Sequence, residues 1–335
     1  MRRRPLPLWF RALVGVPRVD ATAWSQAGPL SRWLVATRAG VLVITLLPCL
    51  VAGLFAYRAD AFHPWLWTLT TLGLLLAHAT NNLLNDLTDF VKGVDRGSYF
   101  RARYGTQPLE QGLITVRQSS AWASITGALA LAIGFALFLE RGPLVLWLTA
   151  IGAFFVLFYT WPLKYIGLGE VAVLAVWGPL MIGGTYFVVT GAWSRGVVLA
   201  SFVYALGATS VLFGKHIDKL DEDRAKRIRT LPVLLGERHA RAVAMALMVL
   251  PYPLCAALVL LGVVGPAVLL VLFAVPKLLS ALRVFSKPRP ASAPAGYPAE
   301  AWPLWFVSFA FVHNRAFGAA FVLGLVLDVA LVRWA

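Results

Sequence analysis

Long apolar segments recur along almost the whole chain, and they constrain its fold more than any other feature. A helix that crosses a bilayer needs about 17 to 25 mostly apolar residues. Charged residues make up only 13% of the 335 residues, about half the share typical of soluble proteins. The sequence therefore predicts an all-α integral membrane protein with nine transmembrane helices. The nine predicted spans lie near residues 34–57, 64–89, 119–139, 143–161, 168–190, 196–215, 240–262, 265–285 and 304–332.

Two segments allow more than one interpretation. Residues 1–32 are basic and partly apolar, and Arg11 interrupts them before a signal-peptide core could form. We interpret them as a cytoplasmic arm that precedes a transmembrane domain at 33–335, either skimming the membrane or forming a disordered tail. The last apolar run is interrupted by "HNR" at 313–315, so it is either one span or an interfacial helix followed by a shorter span.

The distribution of positive charge predicts the orientation. The net charge is +15, but Lys and Arg concentrate before the first span and in the loops after the even-numbered spans. This asymmetry follows the positive-inside rule, and it argues against nucleic acid as the partner. The N-terminus and the even-numbered loops are expected at the cytoplasmic face of the cell membrane.

Seven of the fifteen acidic residues fall into two short clusters, and each cluster closes an even-numbered span. The repeated spacing favours two pseudo-symmetric four-helix halves plus a ninth helix, each half contributing one acidic site at the cytoplasmic side. The clusters are Asp86, Asp89 and Asp95, then Asp218, Asp221, Glu222 and Asp223.

On a helical wheel the first cluster forms part of a polar stripe. The stripe contains His78, Asn82, Asn85 and Asp89, and it should face the bundle interior because polar groups facing lipid are costly. In the second cluster Asp218, Asp221 and Glu222 share one face if the helix continues. Asp223 then points elsewhere.

Carboxylates gathered in a membrane helix repel one another unless a cation neutralises them. Oxygen ligands suit Mg²⁺, which also binds phosphate oxygens, so the two clusters predict a metal-bound diphosphate. The plainer interpretation is a solvated cytoplasmic loop, and it applies at least as well to Asp95, Asp223 and Glu237.

Three motifs carry a resemblance to a known family. "NDLTDFVKGVD" resembles the first aspartate-rich motif of the UbiA superfamily of intramembrane prenyltransferases. "DKLDEDRAKRIRTLPVLLGE" is similar to the second motif, and "YTWPLKYIGLGEVAVLAVWGPLMIGGTYFVVTG" resembles the segment around the fifth helix in the menaquinone-pathway branch, which prenylates 1,4-dihydroxy-2-naphthoate.

The resemblance implies a UbiA-type bundle that transfers a prenyl group from a polyprenyl diphosphate to a small aromatic acceptor, with Mg²⁺ as cofactor and the prenyl tail lying against membrane lipid. Asp86, Asp89, Asp218, Lys164 and Tyr159 would be catalytic. The implied metal ligands are Asn85, Asp86, Asp89, Asp218, Asp221 and Glu222. The implied substrate-binding residues are Arg38, Asn82, Lys92, Arg103, Tyr186 and Lys215.

Alternatives remain for several of these roles. Lys92 and Arg103 also fit as ordinary anchors on a basic membrane face, and Tyr159 and Tyr186 also fit as packing residues. His216 could act as a base or simply hydrogen-bond near the helix end. The second motif and Glu170 depart from the menaquinone-branch pattern, which leaves the acceptor open. A membrane terpene cyclase of the same superfamily is the alternative function, and a transporter is a more distant one.

Overall fold

The computed structural model describes residues 6–94, 105–298 and 301–334, with side chains up to residue 331. All regular secondary structure in these ranges is helical, as the apolar segments predict. Each of the nine segments corresponds to a helix. These helices are Ala39–Arg58, Pro64–Val91, Val116–Arg141, Pro143–Phe158, Gly169–Thr190, Arg195–Asp218, Glu237–Leu260, Pro266–Phe285 and Phe306–Trp334.

Seven of the described helices are long and apolar enough to cross a bilayer. The other two differ in opposite ways. Pro64–Val91 has 28 residues but carries the polar stripe, whereas Pro143–Phe158 is strongly apolar but has only 16 residues. The chain is therefore a multi-pass membrane protein, and the count of nine spans stays a prediction.

The N-terminal arm is folded in the part of it that the structure describes. Three short helices, Leu8–Val14, Ala21–Gln26 and Pro29–Ala36, precede the first long helix. Ala12 and Trp24 are buried in a shared apolar cluster. The interpretation of residues 6–32 as a disordered tail is wrong, because buried side chains hold the arm in place.

The last long helix, Phe306–Trp334, runs through "HNR" without a break. His313 is buried, and its Nε2 lies 3.0 Å from the hydroxyl of Tyr252. A polar group inside an apolar bundle is tolerated when it has a hydrogen-bond partner. The alternative of an interfacial helix followed by a shorter span is wrong.

The chain groups into two compact units that are not consecutive in sequence. The first contains residues 1–47 and 69–161, and the second contains residues 48–68 and 162–335. The first long helix consists of a short 3-10 turn, Ala39–Val41, followed by the α-helix Val43–Arg58. Pro48 lies inside this α-helix at the division between the units, where it removes a backbone donor. The predicted pair of consecutive four-helix halves does not match this grouping, because the segment 48–68 contributes its apolar side chains to the later unit.

Each unit has its own apolar core. In the first unit, Val19, Leu34 and Val35 are buried with Leu109 and Ile114. In the second unit, a larger core includes residues of the helices Val43–Arg58, Arg195–Asp218 and Phe306–Trp334. Its members include Val51, Phe55, Ile182, Val203, Phe317 and Phe321.

A buried ion pair fixes one end of the second unit. The Nε of Arg58 lies 3.1 Å from Oδ2 of Asp328, whose side chain is only 5% exposed. Arg58 also donates to the carbonyl oxygen of Val263. We expect Asp328→Ala to lower the free energy of unfolding by about 3 kcal/mol, because it leaves a largely buried guanidinium without its counter-charge.

Thermal unfolding of the detergent-purified protein measures this effect. Glu140→Ala is the matched control, because Glu140 is exposed at the end of Val116–Arg141. Equal melting temperatures for the two variants would contradict a stabilising role for the pair.

Candidate functional site

The first acidic cluster lies at the C-terminal end of Pro64–Val91, which we call the motif helix. His78, Asn82 and Asp89 are buried, and Asn85 is half-buried. The predicted inward orientation of the polar stripe is confirmed. One face of the helix therefore presents amide and carboxylate groups to the protein interior, while its other positions are mainly apolar.

Each amide and imidazole of the stripe has a partner within the first unit. Asn82 donates from Nδ2 to the carbonyl oxygen of Thr37 at 2.8 Å, and Asn85 donates from Nδ2 to Oγ1 of Thr160 at 3.0 Å. Nδ1 of His78 lies 2.8 Å from the hydroxyl of Thr45. These bonds fix the side chains, and that of Asn85 leaves its amide oxygen as the end available to a cation.

Arg38 belongs to the same constellation. Its Nη2 lies 3.0 Å from Oδ1 of Asp86 and donates to the carbonyl oxygen of Asn82 at 3.2 Å. Its backbone is left-handed, with φ 54° and ψ 51°. Such a conformation is uncommon for a residue with a side chain. The structure thus brings together Arg38, Asn82, Asn85 and Asp86, and the ion pair was not predicted from the sequence.

The remaining predicted residues of this unit are less closely grouped. The ammonium of Lys92 lies 4.8 Å from the ring centroid of Trp161, a cation–π geometry. Tyr159 is half-buried and directly follows Pro143–Phe158. Arg103 and Asp95 lie outside the described residues.

The second acidic cluster does not form the predicted shared face. The helix Arg195–Asp218 ends at its first acid, and a separate helix, Leu220–Ala225, carries the other three. The prediction of a shared face is wrong, because the helical wheel assumed that the helix continues past Asp218. The helix is interrupted at Lys219 instead, whose backbone has φ −103° and ψ 8°.

Asp218 caps the last long helix. Its two carboxylate oxygens accept hydrogen bonds from the backbone nitrogens of Phe306 at 3.0 Å and Val307 at 2.9 Å. Arg289 donates to the carbonyl oxygen of Asp218 at 2.9 Å. Because the carboxylate is buried and already engaged by two backbone donors, it does not fit the predicted role of metal ligand.

Asp221 and Asp223 lie opposite to their expected positions. The side chain of Asp221 is 88% exposed and lies 3.7 Å from Arg224, whereas Asp223 is buried. Oδ1 of Asp223 is 3.5 Å from Nζ of Lys219, and its buried Oδ2 has no hydrogen-bond partner among the described residues. Asp223 was missed because its burial depends on where the new helix packs.

A second buried carboxylate in this unit also has a fixed partner. Oε1 of Glu170 lies 2.5 Å from Nδ1 of His216, and Oε2 accepts from the backbone nitrogen of Leu231 at 3.3 Å. The hydrogen-bonding interpretation of His216 is therefore confirmed. Of the other predicted residues, Lys164 is buried, Lys215 is half-buried in the last turn of its helix, and Tyr186 is buried in the apolar core.

The donor chemistry of the first cluster fits Mg²⁺. Asn85, Asp86 and Asp89 supply hard oxygen ligands on neighbouring positions of one helix, and Mg²⁺ commonly completes such partial sets with water and phosphate oxygens. Among the described residues, no group of three or more His, Cys, Asp or Glu side chains could hold a metal by itself. A metal at this site would therefore also need the amide oxygen of Asn85 and oxygen atoms of a bound phosphate group.

Comparison with known proteins gives consistent results. The model of the UbiA prenyltransferase family matches residues 45–309. UbiA prenyltransferase domain-containing protein 1 of Gallus gallus is 28% identical over 251 residues, covering 71% of this chain and 74% of that protein. The 1,4-dihydroxy-2-naphthoate octaprenyltransferase of Escherichia coli strain K12 is also 28% identical, over 225 residues, covering 64% and 72%.

A solved structure shares the fold. A UbiA homolog from Archaeoglobus fulgidus bound to GPP and Mg²⁺ has a TM-score of 0.51 and 16% identity, and the match covers 85% of this chain and 98% of that one. The likeness extends over nearly the whole of the solved chain, so it concerns the architecture and not a single motif.

The capping role of Asp218 leads to a stability prediction. We expect Asp218→Ala to lower the free energy of unfolding by about 1–2 kcal/mol or more, because it leaves buried backbone donors of the last long helix unsatisfied. Asp218→Asn should lose less, since its amide oxygen still accepts one of the bonds. Thermal unfolding in detergent measures both.

Asp221→Ala is the control within the same cluster, because its side chain faces outward. A melting temperature for Asp218→Ala equal to that of Asp221→Ala would refute the capping role.

Proposed function

The chain belongs to the UbiA prenyltransferase family, and from this premise we propose that it transfers a prenyl group from a polyprenyl diphosphate to a small aromatic acceptor. The observation that carries the proposal is the inward-facing set Asn85, Asp86 and Asp89, held by Thr160 and Arg38. Aligned oxygen donors at the end of a membrane helix suit a metal-bound diphosphate better than they suit packing.

We propose Asn85, Asp86 and Asp89 as the residues that hold Mg²⁺. The Archaeoglobus fulgidus homolog is described as bound to GPP and Mg²⁺, which supports this cofactor. When bound, Mg²⁺ supplies positive charge that stabilises the departing diphosphate. The protein contributes by fixing the amide of Asn85 through Thr160 and the carboxylate of Asp86 through Arg38.

The second cluster enters the proposal in altered form. Glu222 remains a candidate ligand, because it is half-buried. Asp223 becomes a candidate, because it has a buried oxygen without a partner among the described residues. Asp221 faces outward, and Asp218 is engaged in capping.

Cationic and aromatic side chains are proposed to complete substrate binding. The diphosphate would be bound by the ammonium groups of Lys92, Lys164 and Lys215 and by the guanidinium of Arg103. Tyr159 and Tyr186 would line the path of the prenyl chain or the acceptor. Arg38 and Asn82 would orient the acceptor, with the guanidinium of Arg38 receiving an anionic group of that molecule.

We propose an acceptor similar to 1,4-dihydroxy-2-naphthoate, which links the chain to menaquinone biosynthesis. The Escherichia coli relative bears that substrate in its name, and the Gallus gallus relative is equally similar without naming an acceptor. The basic even-numbered loops support a site facing the cytoplasm in the cell membrane.

Loss of one metal-binding carboxylate tests the central assignment. We expect Asp89→Asn to lower the turnover of prenyl diphosphate by about 100-fold or more, because a neutral amide would hold the cation less tightly than the carboxylate that it replaces. Mass-spectrometric detection of the prenylated acceptor measures it. Glu110→Gln, at an exposed position of the same unit, should leave turnover unchanged.

Acceptor choice is tested with the same measurement. Detergent-purified protein receives mixed prenyl diphosphates with 1,4-dihydroxy-2-naphthoate, with 4-hydroxybenzoate or with no acceptor, in Mg²⁺ or EDTA. An EDTA-sensitive prenylated naphthalenoid is the expected product. Mg²⁺-dependent terpene formation without an acceptor would establish the cyclase instead, and substrate flux in liposomes without turnover would establish a transporter.

A further inference from the structure

The described part of the N-terminal arm, which the structure extends to the end of the helix Pro29–Ala36, packs on the end of the motif helix that carries the acids. Trp24 and Leu34 of the arm are buried in one apolar cluster, and Leu87 and Phe90 of the motif helix pack against that cluster. Asp86 and Asp89 neighbour these two apolar residues in sequence. The arm is thus seated beside the proposed metal site.

A hydrogen-bonded clasp attaches the arm to a distant segment. The backbone nitrogen of Val19 donates to Oγ1 of Thr106 at 2.7 Å, and that hydroxyl donates to the carbonyl oxygen of Pro17 at 3.0 Å. The backbone nitrogen of Thr106 also donates to Pro17 at 3.3 Å. Thr106 is buried, so the clasp is shielded from water.

The arm also lies directly against the turn that follows Arg38. A Cβ atom placed on Gly40 would lie 2.6 Å from the backbone nitrogen and oxygen of Gly15, which leaves no room for a side chain. The contact is asymmetric, because a Cβ atom placed on Gly15 would meet nothing within 4 Å. Only Gly40 has to be a glycine for the two backbones to touch.

Arg38 is therefore held from two sides. On the inner side it contacts Asp86 and Asn82, and Asn82 donates back to the carbonyl oxygen of Thr37 at 2.8 Å. On the outer side the arm presses on Gly40, two residues further along the chain. An uncommon left-handed conformation persists where its surroundings determine it on more than one side.

We propose that Gly40 is a positioning residue, which admits the arm against the turn and so holds the guanidinium of Arg38 at Asp86. Gly40 itself touches no substrate. The inference rests on the proposed function for the role of Arg38 in binding the acceptor. The arm is accordingly part of the apparatus that prepares the acceptor site.

A double-mutant cycle tests this coupling. The full-length variants Gly40→Ala, Gly15→Ala, Arg38→Ala and Arg38→Ala/Gly40→Ala are compared by the KM for the aromatic acceptor. We expect Gly40→Ala to raise this KM about tenfold, the size of a lost charge-assisted hydrogen bond, and Gly15→Ala to leave it unchanged. Adding Gly40→Ala to Arg38→Ala should have no further effect.

Two results would overturn the proposal. An additive effect in the double variant would mean that Gly40 acts on activity without Arg38. Equal effects of Gly40→Ala and Gly15→Ala would mean that the arm is merely sensitive to substitution. If Gly40→Ala does not fold, Thr106→Val takes its place in the cycle, since it removes the two side-chain hydrogen bonds of the clasp while nearly keeping the side-chain volume.

Limited trypsin digestion gives a readout that is independent of activity. Arg11 and Arg18 are exposed in the arm, and we expect faster cleavage there in Gly40→Ala and Thr106→Val than in the wild type or Gly15→Ala. If these variants are cleaved faster but the wild-type protein transfers no prenyl group, the proposed function is refuted, whereas the inferred contact between the arm and Gly40 still stands. Unchanged cleavage alongside normal transfer would refute the positioning role.

The opposite face of the arm carries a second, independent inference. The exposed residues Trp9, Phe10, Leu13 and Val14 follow the spacing of one face of the helix Leu8–Val14, and the exposed Leu6 precedes that helix. Leu8 and Ala12 face the protein. Arg11 and Arg18 are exposed beside this stripe. We infer that the stripe lies in the headgroup region of an anionic lipid surface, where aromatic and basic side chains are both favourable.

Depth-dependent quenching tests the lipid contact. Cys49 and Cys255 are fully buried, so a fluorophore attached to Phe10→Cys labels the stripe selectively. In full-length protein reconstituted in vesicles, we expect nitroxide lipids to quench this probe and iodide to be excluded, more so with phosphatidylglycerol than with phosphatidylcholine alone. Glu110→Cys is the matched exposed control. Iodide quenching equal to the control would overturn the inference, as would self-quenching that reveals a second copy on the stripe.

Discussion

The structure depends on one constraint: a polar group that enters the apolar interior is costly unless it finds a partner there. An amide or hydroxyl buried without a hydrogen bond costs several kcal/mol, and lipid offers no water to replace it. The motif helix carries an unusual density of such groups. The amides and the imidazole of its polar stripe are paired with Thr37, Thr160 and Thr45. The surrounding segments therefore contribute hydroxyl and carbonyl groups as well as apolar surface.

The same constraint engages the buried carboxylates in different ways. Asp218 is used to satisfy the first backbone donors of the last long helix, and Glu170 is used by His216 and Leu231. Asp86 instead pairs with the guanidinium of Arg38, and it is one of the carboxylates that we propose as metal ligands. Acidic residues that look equivalent in the sequence therefore serve different purposes.

Much of the fold could be predicted because its signals are local. Apolar length predicts each long helix, and the 3.6-residue period predicts that His78, Asn82 and Asp89 face inward. The second cluster shows where this reasoning fails. Helix continuity past Asp218 was an assumption, and the break at Lys219 moves Asp221 to the outside and Asp223 to the inside. The arm shows a related limit, since its burial depends on Leu109 and Ile114, far away in the chain.

The sequence by itself determined the membrane-embedded helical class, the positions of the long helices, the inward polar stripe and, through its motifs, the family. These properties follow from residue composition and helical period, which act over a few turns. Only the tertiary structure decided that Arg38 pairs with Asp86, that Asp218 caps a helix 88 residues later, and that the arm rests on Gly40. Each of these pairings joins groups distant in sequence, and burial selects the partner from many that the sequence leaves equally available.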